Sequence, residues 1–205
     1  MFFTGPHDYF NRDYVREWAH SANSKRPFRV RFFDAFADEL NRLSRPRILD
    51  LGAGPGFLAE HILTRCDVDS YHLFDFSPHM LELARARLAR FDERLSLHQG
   101  SFLEAQWWDS LPAPFDAVVS IQAVHELRNT SRIPQLYREL GSLLTQNGLA
   151  LIADEVASEG DGTGPFHTVD GHFSALMDAG FEEIRQVLAA GDLAMFSARW
   201  RKKNL

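Results

Sequence analysis

Hydrophobic residues recur at helical spacing along the first part of the chain. Apolar side chains return every three or four positions across residues 28–43, which is typical of an amphipathic helix, and Pro46 ends the pattern. Upstream, residues 9–24 predict a short helix that covers another part of the molecule, because its aromatic side chains share one face. We therefore predict a helical cap over residues 1–45.

After Pro46, short apolar runs alternate with helical patterns. Five strands are predicted, at residues 47–51, 70–74, 94–98, 115–120 and 148–153. Helices are predicted between them, at residues 57–63, 78–88 and 133–143. A later helix is expected to be capped by Asp170 and to end at Gly180, before a closing pair of strands at residues 181–187 and 193–200.

This alternation predicts a parallel sheet with helices on both faces. The closing pair adds an antiparallel edge, and the glycine-rich loop at residues 155–164 is predicted to be mobile. We expect residues 46–205 to form an α/β core and, with the cap, a single domain over residues 1–205.

Composition narrows the class of protein. The chain has 205 residues, of which 45% are hydrophobic, so it can bury a full core. Its net charge of −6 argues against a mainly electrostatic grip on nucleic acid. Cys66 is the single cysteine, which fits a reducing compartment. Without a secretion signal or an apolar run of about 18 residues, we expect a cytoplasmic protein that does not span a membrane.

The most informative segment is the glycine-rich turn after the first strand. Gly52, Gly54 and Gly56 stand at alternate positions between a strand and a helix, where the backbone can approach a ligand closely. The G-x-G-x-G spacing, with Asp50 just before it, differs from the G-x-G-x-x-G of dinucleotide folds and lacks the lysine of a P-loop. The turn therefore favours a ligand over a plain connection between two elements.

A second acid follows the second strand. Asp75 lies where a ribose can be held by paired hydrogen bonds, at the carboxyl end of a strand next to the glycine turn. Asp75 as a helix cap is the alternative, but Ser77, followed by Pro78, already supplies one. Asp50 and Asp75 together favour a nucleoside ligand.

In this order the motifs resemble those of the class I S-adenosylmethionine-dependent methyltransferases, with a bacterial-type small-molecule methyltransferase domain. The resemblance runs from about Pro46 to Trp200 through residues 50–56, 74–78, 98–102, 115–120 and 143–150. It implies a Rossmann-like fold with a mainly parallel seven-stranded sheet and an antiparallel edge strand. It also implies S-adenosylmethionine as cofactor, S-adenosylhomocysteine as product, and methyl transfer by in-line displacement.

The resemblance also implies roles for individual residues. The turn at residues 50–56 would hold the methionine carboxylate and amine, Asp75 the ribose, and two aromatic rings the adenine. Ser101 departs from the aspartate that is commoner in the family, and a serine oxygen accepts the adenine amino group more weakly. The residues expected to bind the cofactor are Asp50, Gly52, Ala53, Gly54, Gly56, Asp75, Phe76, Ser101, Phe102, Ser120 and Gln122. Phe76 and Phe102 are equally plausible as core residues.

His125 is the candidate catalytic residue. It follows the fourth strand, where donor and acceptor meet in this family, and an ordinary imidazole pKa of about 6.5 suits proton removal. A structural histidine is the alternative. Asp154 and Glu155 end the fifth strand, where carboxylates can face the acceptor, but we favour the start of a solvated loop. The other histidines show no compact ligand spacing, so we expect no metal site.

The acceptor is expected to be a small molecule. The Pro-Pro-Tyr type motif of amino-methylating enzymes and the Pro-Cys of cytosine enzymes are missing, and the chain is acidic. Aromatic cap residues can line the acceptor site, namely Tyr14, Trp18 and Phe32, and packing residues are the equal alternative. A catalytically silent partner subunit and an RNA or protein methyltransferase are the alternatives, while the acceptor and the oligomeric state stay open.

Overall fold

The computed structural model describes residues 7–157 and 166–201. Residues 158–165, which include most of the loop predicted to be mobile, lie outside that range, as do the first six residues of the cap. Two cap helices precede the sheet: α1, Arg12–Lys25, and α2, Arg29–Leu40. Helix α1 begins where the side chain of Asn11 accepts hydrogen bonds from the backbone N–H groups of Asp13 and Tyr14.

Seven strands form one sheet in the order β3-β2-β1-β4-β5-β7-β6. Their bounds are β1 Arg47–Leu51, β2 Ser70–Asp75, β3 Leu95–Gln99, β4 Phe115–Ile121, β5 Leu144–Glu155, β6 Phe181–Ala190 and β7 Leu193–Trp200. All neighbours pair in parallel except β7, which is antiparallel to both β5 and β6. The predicted seven-stranded, mainly parallel sheet is confirmed, and its antiparallel strand lies one position in from the edge strand β6.

Helices cover both faces of this sheet. They are α3 Phe57–Arg65, α4 Pro78–Leu88, α5 Ile133–Ser142 and α6 Val169–Ala179. Apolar side chains of α2, α3 and α4 share one buried cluster with the sheet, and those of α5 and α6 share the other. The sheet is thus buried on both sides, as expected for parallel strands joined by helices.

Local sequence signals explain most helix ends. The hydroxyl of Ser77 accepts a hydrogen bond from Met80 N at 3.2 Å, which confirms it as the N-cap of α4. Helix α6 is capped by Thr168, whose side chain accepts from Gly171 N, so the prediction of Asp170 as the cap was wrong. Asp170 lies in the first helical turn instead and is exposed.

The sheet order positions the site. Strand β1 pairs in parallel with β2 on one side and with β4 on the other. The chain runs from β1 through β2 to β3 at one edge and then crosses back to β4, so the strand order reverses between β1 and β4. A crevice forms at such a switch point, outside the carboxyl ends of the strands. Within the described residues, no helix is long and apolar enough to cross a membrane.

Candidate active site

A cavity of about 630 Å³ lies between the carboxyl ends of the strands and the helical cap. The glycine turn, the segments after β2, β3 and β4, and helix α1 all contribute to its walls. Of the residues predicted from sequence, those that line it are Gly52, Ala53, Gly54, Asp75, Phe76, Ser101, Phe102, Gln122, His125, Tyr14 and Trp18. Positions distant in sequence thus meet in one space.

The glycine turn is tied to the neighbouring strand. Gly52 N and Ala53 N both donate to the carbonyl oxygen of Phe74, at 2.8 and 3.1 Å. Gly54 has a φ of +55°, and no atom of the described residues lies within 4 Å of where its Cβ would stand. The turn therefore leaves open space on the cavity side of Gly54, as close approach of a ligand requires.

Asp75 lies beside that turn and lines the cavity. Its carboxylate accepts hydrogen bonds from Gly54 N at 2.8 Å and from Ser77 N at 2.9 Å, so it is fixed in place. Burial raises the pKa of Asp75 to about 6, although the backbone N–H donors oppose this shift. The carboxylate is still mostly ionised at neutral pH and can accept hydrogen bonds from ligand hydroxyls.

The wall beyond Asp75 is aromatic and reaches the cap. Phe76 and Phe102 both line the cavity, and the ring of Tyr9 lies edge-on to Phe76 with centroids 5.8 Å apart. Ser77 Oγ donates to the carbonyl oxygen of Tyr9 at 2.6 Å, which anchors the segment before α1 to this wall. The Oγ of Ser101 accepts from Leu103 N at 3.2 Å. This end of the cavity suits a flat, uncharged ring.

His125 also lines the cavity and lies in a 3₁₀ turn at Val124–Leu127 after β4. Its Nδ1 lies 2.5 Å from Oδ1 of Asp154, and its backbone N donates to Oδ2 of the same carboxylate at 2.8 Å. Asp154, at the end of β5, is only 1% exposed, so the expected solvated loop start was wrong. Asp154 therefore acts as the buried partner that orients the imidazole.

The charge on His125 follows from this partner. Burial disfavours a charged imidazole, but the neighbouring carboxylate of Asp154 outweighs burial and raises the pKa of His125 to about 9. The carboxylates of Glu155 and Glu126 act in the same direction. The unperturbed pKa assumed from the sequence was therefore too low, and His125 is mostly protonated at neutral pH before a ligand binds.

Four predicted site residues lie outside the cavity lining. Asp50 is 1% exposed and accepts a hydrogen bond from the Tyr71 hydroxyl at 2.9 Å, and burial raises its pKa to about 7. Ser120 is buried and donates to the carbonyl oxygen of Leu51 at 2.9 Å, while Gly56 caps α3. None of these three residues lines the cavity. The prediction that they contact the ligand is therefore replaced by a structural role in supporting the glycine turn.

Phe32 is the fourth. It is fully buried in the cluster between α2 and the sheet, where its ring contacts Phe28 at 6.4 Å between centroids. Burying a phenylalanine side chain stabilises a fold by about 1.5–3 kcal/mol. Packing therefore accounts for Phe32, and its predicted place in the acceptor wall was wrong.

Several cavity residues were not among the individual site residues predicted from the sequence. They include Tyr9, Glu126, Arg128, Arg26 and Arg29. Glu126 lies next to His125 in a 3₁₀ turn, not in a strand or regular helix, so its side chain reaches the same cavity, with Oε1 3.9 Å from His125 Nε2. Among residues 7–157 and 166–201, no group of three or more His, Cys, Asp or Glu side chains is arranged to hold a metal ion.

Residues 48–148 match the family model described as a methyltransferase domain. The highly reducing polyketide synthase acrA of Aspergillus aculeatus is 31% identical over 124 residues, which covers 58% of this chain and 5% of that protein. The malonyl-[acyl-carrier protein] O-methyltransferase of Magnetococcus marinus is 30% identical over 118 residues, which covers 56% of this chain and 41% of that protein. The matched part is thus less than half of either relative.

A solved structure is similar over almost the whole chain. Human N-acetylserotonin methyltransferase, crystallised in complex with S-adenosylmethionine, superposes with a TM-score of 0.74 and 17% identity. The match covers 95% of this chain and 58% of that chain. At this identity the similarity shows a shared fold.

Proposed function

The chain contains a methyltransferase domain with the class I fold, and on this premise we propose that it transfers a methyl group from S-adenosylmethionine to a hydroxyl group of a small molecule. The resemblance inferred from the motifs is confirmed by the family match. The observation that carries the proposal is the cavity itself, in which the glycine turn, Asp75 and the His125–Asp154 pair face one space.

The described residues fit this cofactor. The missing side chain of Gly54 leaves room that a Cβ would occupy, beside the N-terminus of α3. Asp75 offers a buried, fixed carboxylate for the ribose hydroxyls, and the aromatic wall formed by Phe76 and Phe102 offers faces for adenine. The backbone at Gly52–Gly54 and the side chain of Gln122 are the proposed contacts of the methionine portion.

When bound, the cofactor supplies a methyl group made electrophilic by a positively charged sulfur. The protein's part is to align the acceptor, exclude water and accept the acceptor's proton. The aromatic rings of Tyr14 and Trp18 line the cavity, and their faces favour a nearby positive charge.

His125 is the proposed general base. Its Nδ1 is engaged by Asp154, which leaves Nε2 to take the proton of an acceptor hydroxyl. A cation held nearby lowers the pKa of an imidazole, so binding brings His125 toward its neutral, basic form at physiological pH. Asp154 then stabilises the imidazolium that forms when the proton arrives.

Two observations support a small hydroxyl compound as the acceptor: the covered cavity and the similarity to a named O-methyltransferase. The cap covers the cavity through Tyr9, Tyr14 and Trp18, which suits a small acceptor better than a folded RNA or protein. The Magnetococcus relative is named as an O-methyltransferase, which supports an oxygen acceptor. An RNA or protein methyltransferase is further disfavoured by the net charge of −6.

A catalytically silent partner subunit is the other candidate function, and the oriented His125–Asp154 pair argues against it.

We also propose that residues 1–45 and 46–205 act together as one domain. A cytoplasmic location is proposed from the single cysteine, Cys66, which is buried and free.

The test is methyl transfer from isotopically labelled S-adenosylmethionine to a panel of small phenols, hydroxy acids and amines. Transfer to a hydroxyl compound, lost in His125→Gln, is the expected result. Cofactor binding without transfer to any compound in the panel, and equal behaviour of wild type and His125→Gln, would support the silent subunit instead.

A further inference from the structure

Glu126 places a carboxylate next to the proposed base. It follows His125 in the 3₁₀ turn at Val124–Leu127 and lines the same cavity. Oε1 of Glu126 lies 3.9 Å from Nε2 of His125, the nitrogen that Asp154 does not engage. The side chain of Glu126 is only 16% exposed, so its charge is partly shielded from water. Proton transfer to Nε2 does not itself require this second carboxylate.

The other oxygen of Glu126 has a different neighbour. Oε2 lies 3.5 Å from Nη2 of Arg128, and the Arg128 side chain is 42% exposed, so solvent weakens this ion pair. Oε1 is therefore the oxygen of Glu126 that lies beside the reacting end of His125.

The spacing of Oε1 and Nε2 suits two neighbouring groups of one ligand. At 3.9 Å the two atoms are too far apart to form a hydrogen bond with each other, but adjacent atoms of a small molecule can reach both. A neutral imidazole accepts at Nε2 and an ionised carboxylate accepts at both oxygens. A single hydroxyl has only one proton to donate, so it cannot satisfy His125 and Glu126 together.

Electrostatics give the same answer. Negative charge builds on the acceptor oxygen as its proton leaves, and a carboxylate close by disfavours that charge. A second hydrogen-bond donor on the acceptor would offset the charge of Glu126 at this point. Hydrogen bonds to a charged group are about twice as strong as those between neutral groups.

The walls around Glu126 are aromatic. Tyr9 and Tyr14 line the cavity with their rings edge-on to each other, at 5.9 Å between centroids. Burial, followed by the carboxylate of Glu126, raises the pKa of the Tyr9 hydroxyl above its usual range, and the same two causes raise the pKa of Tyr14. Both rings thus lie within electrostatic reach of Glu126, where they can pack against an aromatic acceptor.

We propose that Glu126 selects an aromatic acceptor with a second hydrogen-bond donor, a hydroxyl or an amino group, on the carbon next to the methylated hydroxyl. The second donor bonds to Oε1 of Glu126 while the reacting hydroxyl faces Nε2 of His125. This inference rests on the proposed function and narrows its acceptor to one class of compound.

The transfer needs no further reactant. A lone pair of the hydroxyl oxygen forms the new bond to the methyl carbon as the carbon–sulfur bond breaks and leaves its electron pair on sulfur. The hydroxyl proton passes to Nε2 of His125, so the methyl ether and S-adenosylhomocysteine are both released without that proton. The second donor keeps its own proton throughout.

The experiment compares three acceptors that differ at one position. Catechol carries a second hydroxyl next to the first, 2-aminophenol carries an amino group there, and 2-methoxyphenol carries an oxygen that cannot donate. We expect wild-type kcat/KM for catechol or 2-aminophenol to exceed that for 2-methoxyphenol by about 10- to 100-fold. The better of the two identifies the donor as hydroxyl or amino group.

The same comparison in Glu126→Ala isolates the carboxylate. The ratio of kcat/KM between the better donor compound and 2-methoxyphenol should fall to within about twofold, and Glu126→Gln, which keeps a neutral acceptor, should give an intermediate ratio. If Glu126→Ala does not fold, Glu126→Gln carries the comparison. Glu93→Gln is the matched control, because Glu93 is exposed in another 3₁₀ turn and does not line the cavity. It should keep the wild-type ratio.

The outcomes separate the two proposals. An unchanged ratio in both Glu126 variants overturns this inference, even if all rates fall, because Glu126 would then act only on His125. Equal turnover of all three acceptors by wild type overturns it as well. So does turnover of none of them by a protein that still binds S-adenosylhomocysteine. A wild-type protein that does not bind S-adenosylhomocysteine overturns the proposed function.

Discussion

Nδ1 of His125 lies 2.5 Å from Oδ1 of Asp154, although 29 residues separate the two in sequence. Oδ2 of the same carboxylate also accepts the backbone N–H of His125, at 2.8 Å, so both the ring and the main chain are held. The two residues meet because β4 and β5 are parallel neighbours, and each residue lies near the carboxyl end of its strand. A fixed imidazole with one nitrogen engaged is suited to proton transfer through the other.

Replacing His125 with glutamine removes the base and keeps a hydrogen-bonding side chain. We expect His125→Gln to lower kcat by about 10²–10⁴-fold with a hydroxyl acceptor, because proton removal then depends on solvent. The wild-type rate should rise with pH as His125 loses its proton, at a pH below its cofactor-free pKa of about 9 because the bound cation lowers that pKa, and this acidic limb should vanish in the variant. The measurement is the pH profile of kcat/KM.

S-adenosylhomocysteine affinity serves as the control and should barely change in His125→Gln. Full turnover of His125→Gln with an unaltered pH profile would contradict the assignment of His125 as the base. The rate enhancement would then come from alignment of the acceptor with the methyl group alone.

The same pKa predicts how stability depends on pH. His125 has a folded pKa of about 9, above its unfolded value of about 6.5, so the charged form is favoured by folding. Its stabilisation is fully present below pH of about 6.5 and is lost as the pH rises through about 9. Urea unfolding of wild type and His125→Gln should show a difference in free energy of unfolding that shrinks across this window. A constant difference would contradict the raised pKa.

Gly54→Val is expected to abolish cofactor binding. Its side chain would fill open space on the cavity side of the turn, and the φ of +55° adds backbone strain. Gly180→Val is the matched control, since Gly180 also has a positive φ, +100°, but lies between α6 and β6 and outside the cavity lining. It should lose stability and keep its affinity for S-adenosylhomocysteine. A folded Gly54→Val protein with wild-type affinity would refute the role of the turn.

Asp75→Asn tests the ribose contact. The loss of a charged acceptor should weaken S-adenosylhomocysteine binding by about 1.5–3 kcal/mol. The pKa of Asp75 is about 6, so wild-type affinity should fall as the pH drops below that value and the carboxylate is protonated. The variant should lack this fall. The measurement is calorimetric titration of both proteins with S-adenosylhomocysteine across this pH range. If the affinity of Asp75→Asn differs from that of wild type by less than about twofold, Asp75 has a purely structural role.

Much of the fold followed from local patterns in the sequence. The first strand has the bounds predicted for it, Arg47 and Leu51, and the Ser77-Pro78 pair marks the start of α4. Strand β5 begins earlier than predicted, at Leu144, because Leu144 pairs with Phe115 across an irregular register. Pairing of this kind depends on the neighbouring strand and is invisible in a single segment.

The site was less predictable, because its chemistry depends on which distant residues meet. The aromatic ring of Phe32 made it a candidate for the acceptor wall, but Phe32 also belongs to the apolar face of α2, and that face packs on the sheet. Asp154 was expected at the start of a solvated loop, since nothing in its own segment shows that the turn carrying His125 packs against the end of β5. A rule that neighbouring parallel strands bring their carboxyl ends together would have paired it with His125.

Calorimetric titration of the wild-type protein with S-adenosylhomocysteine near neutral pH tests the central claim most directly. The account predicts saturable binding of one ligand per chain, absent in Gly54→Val and retained in Gly180→Val. No binding to the folded wild-type protein, or equal binding by both glycine variants, would contradict it.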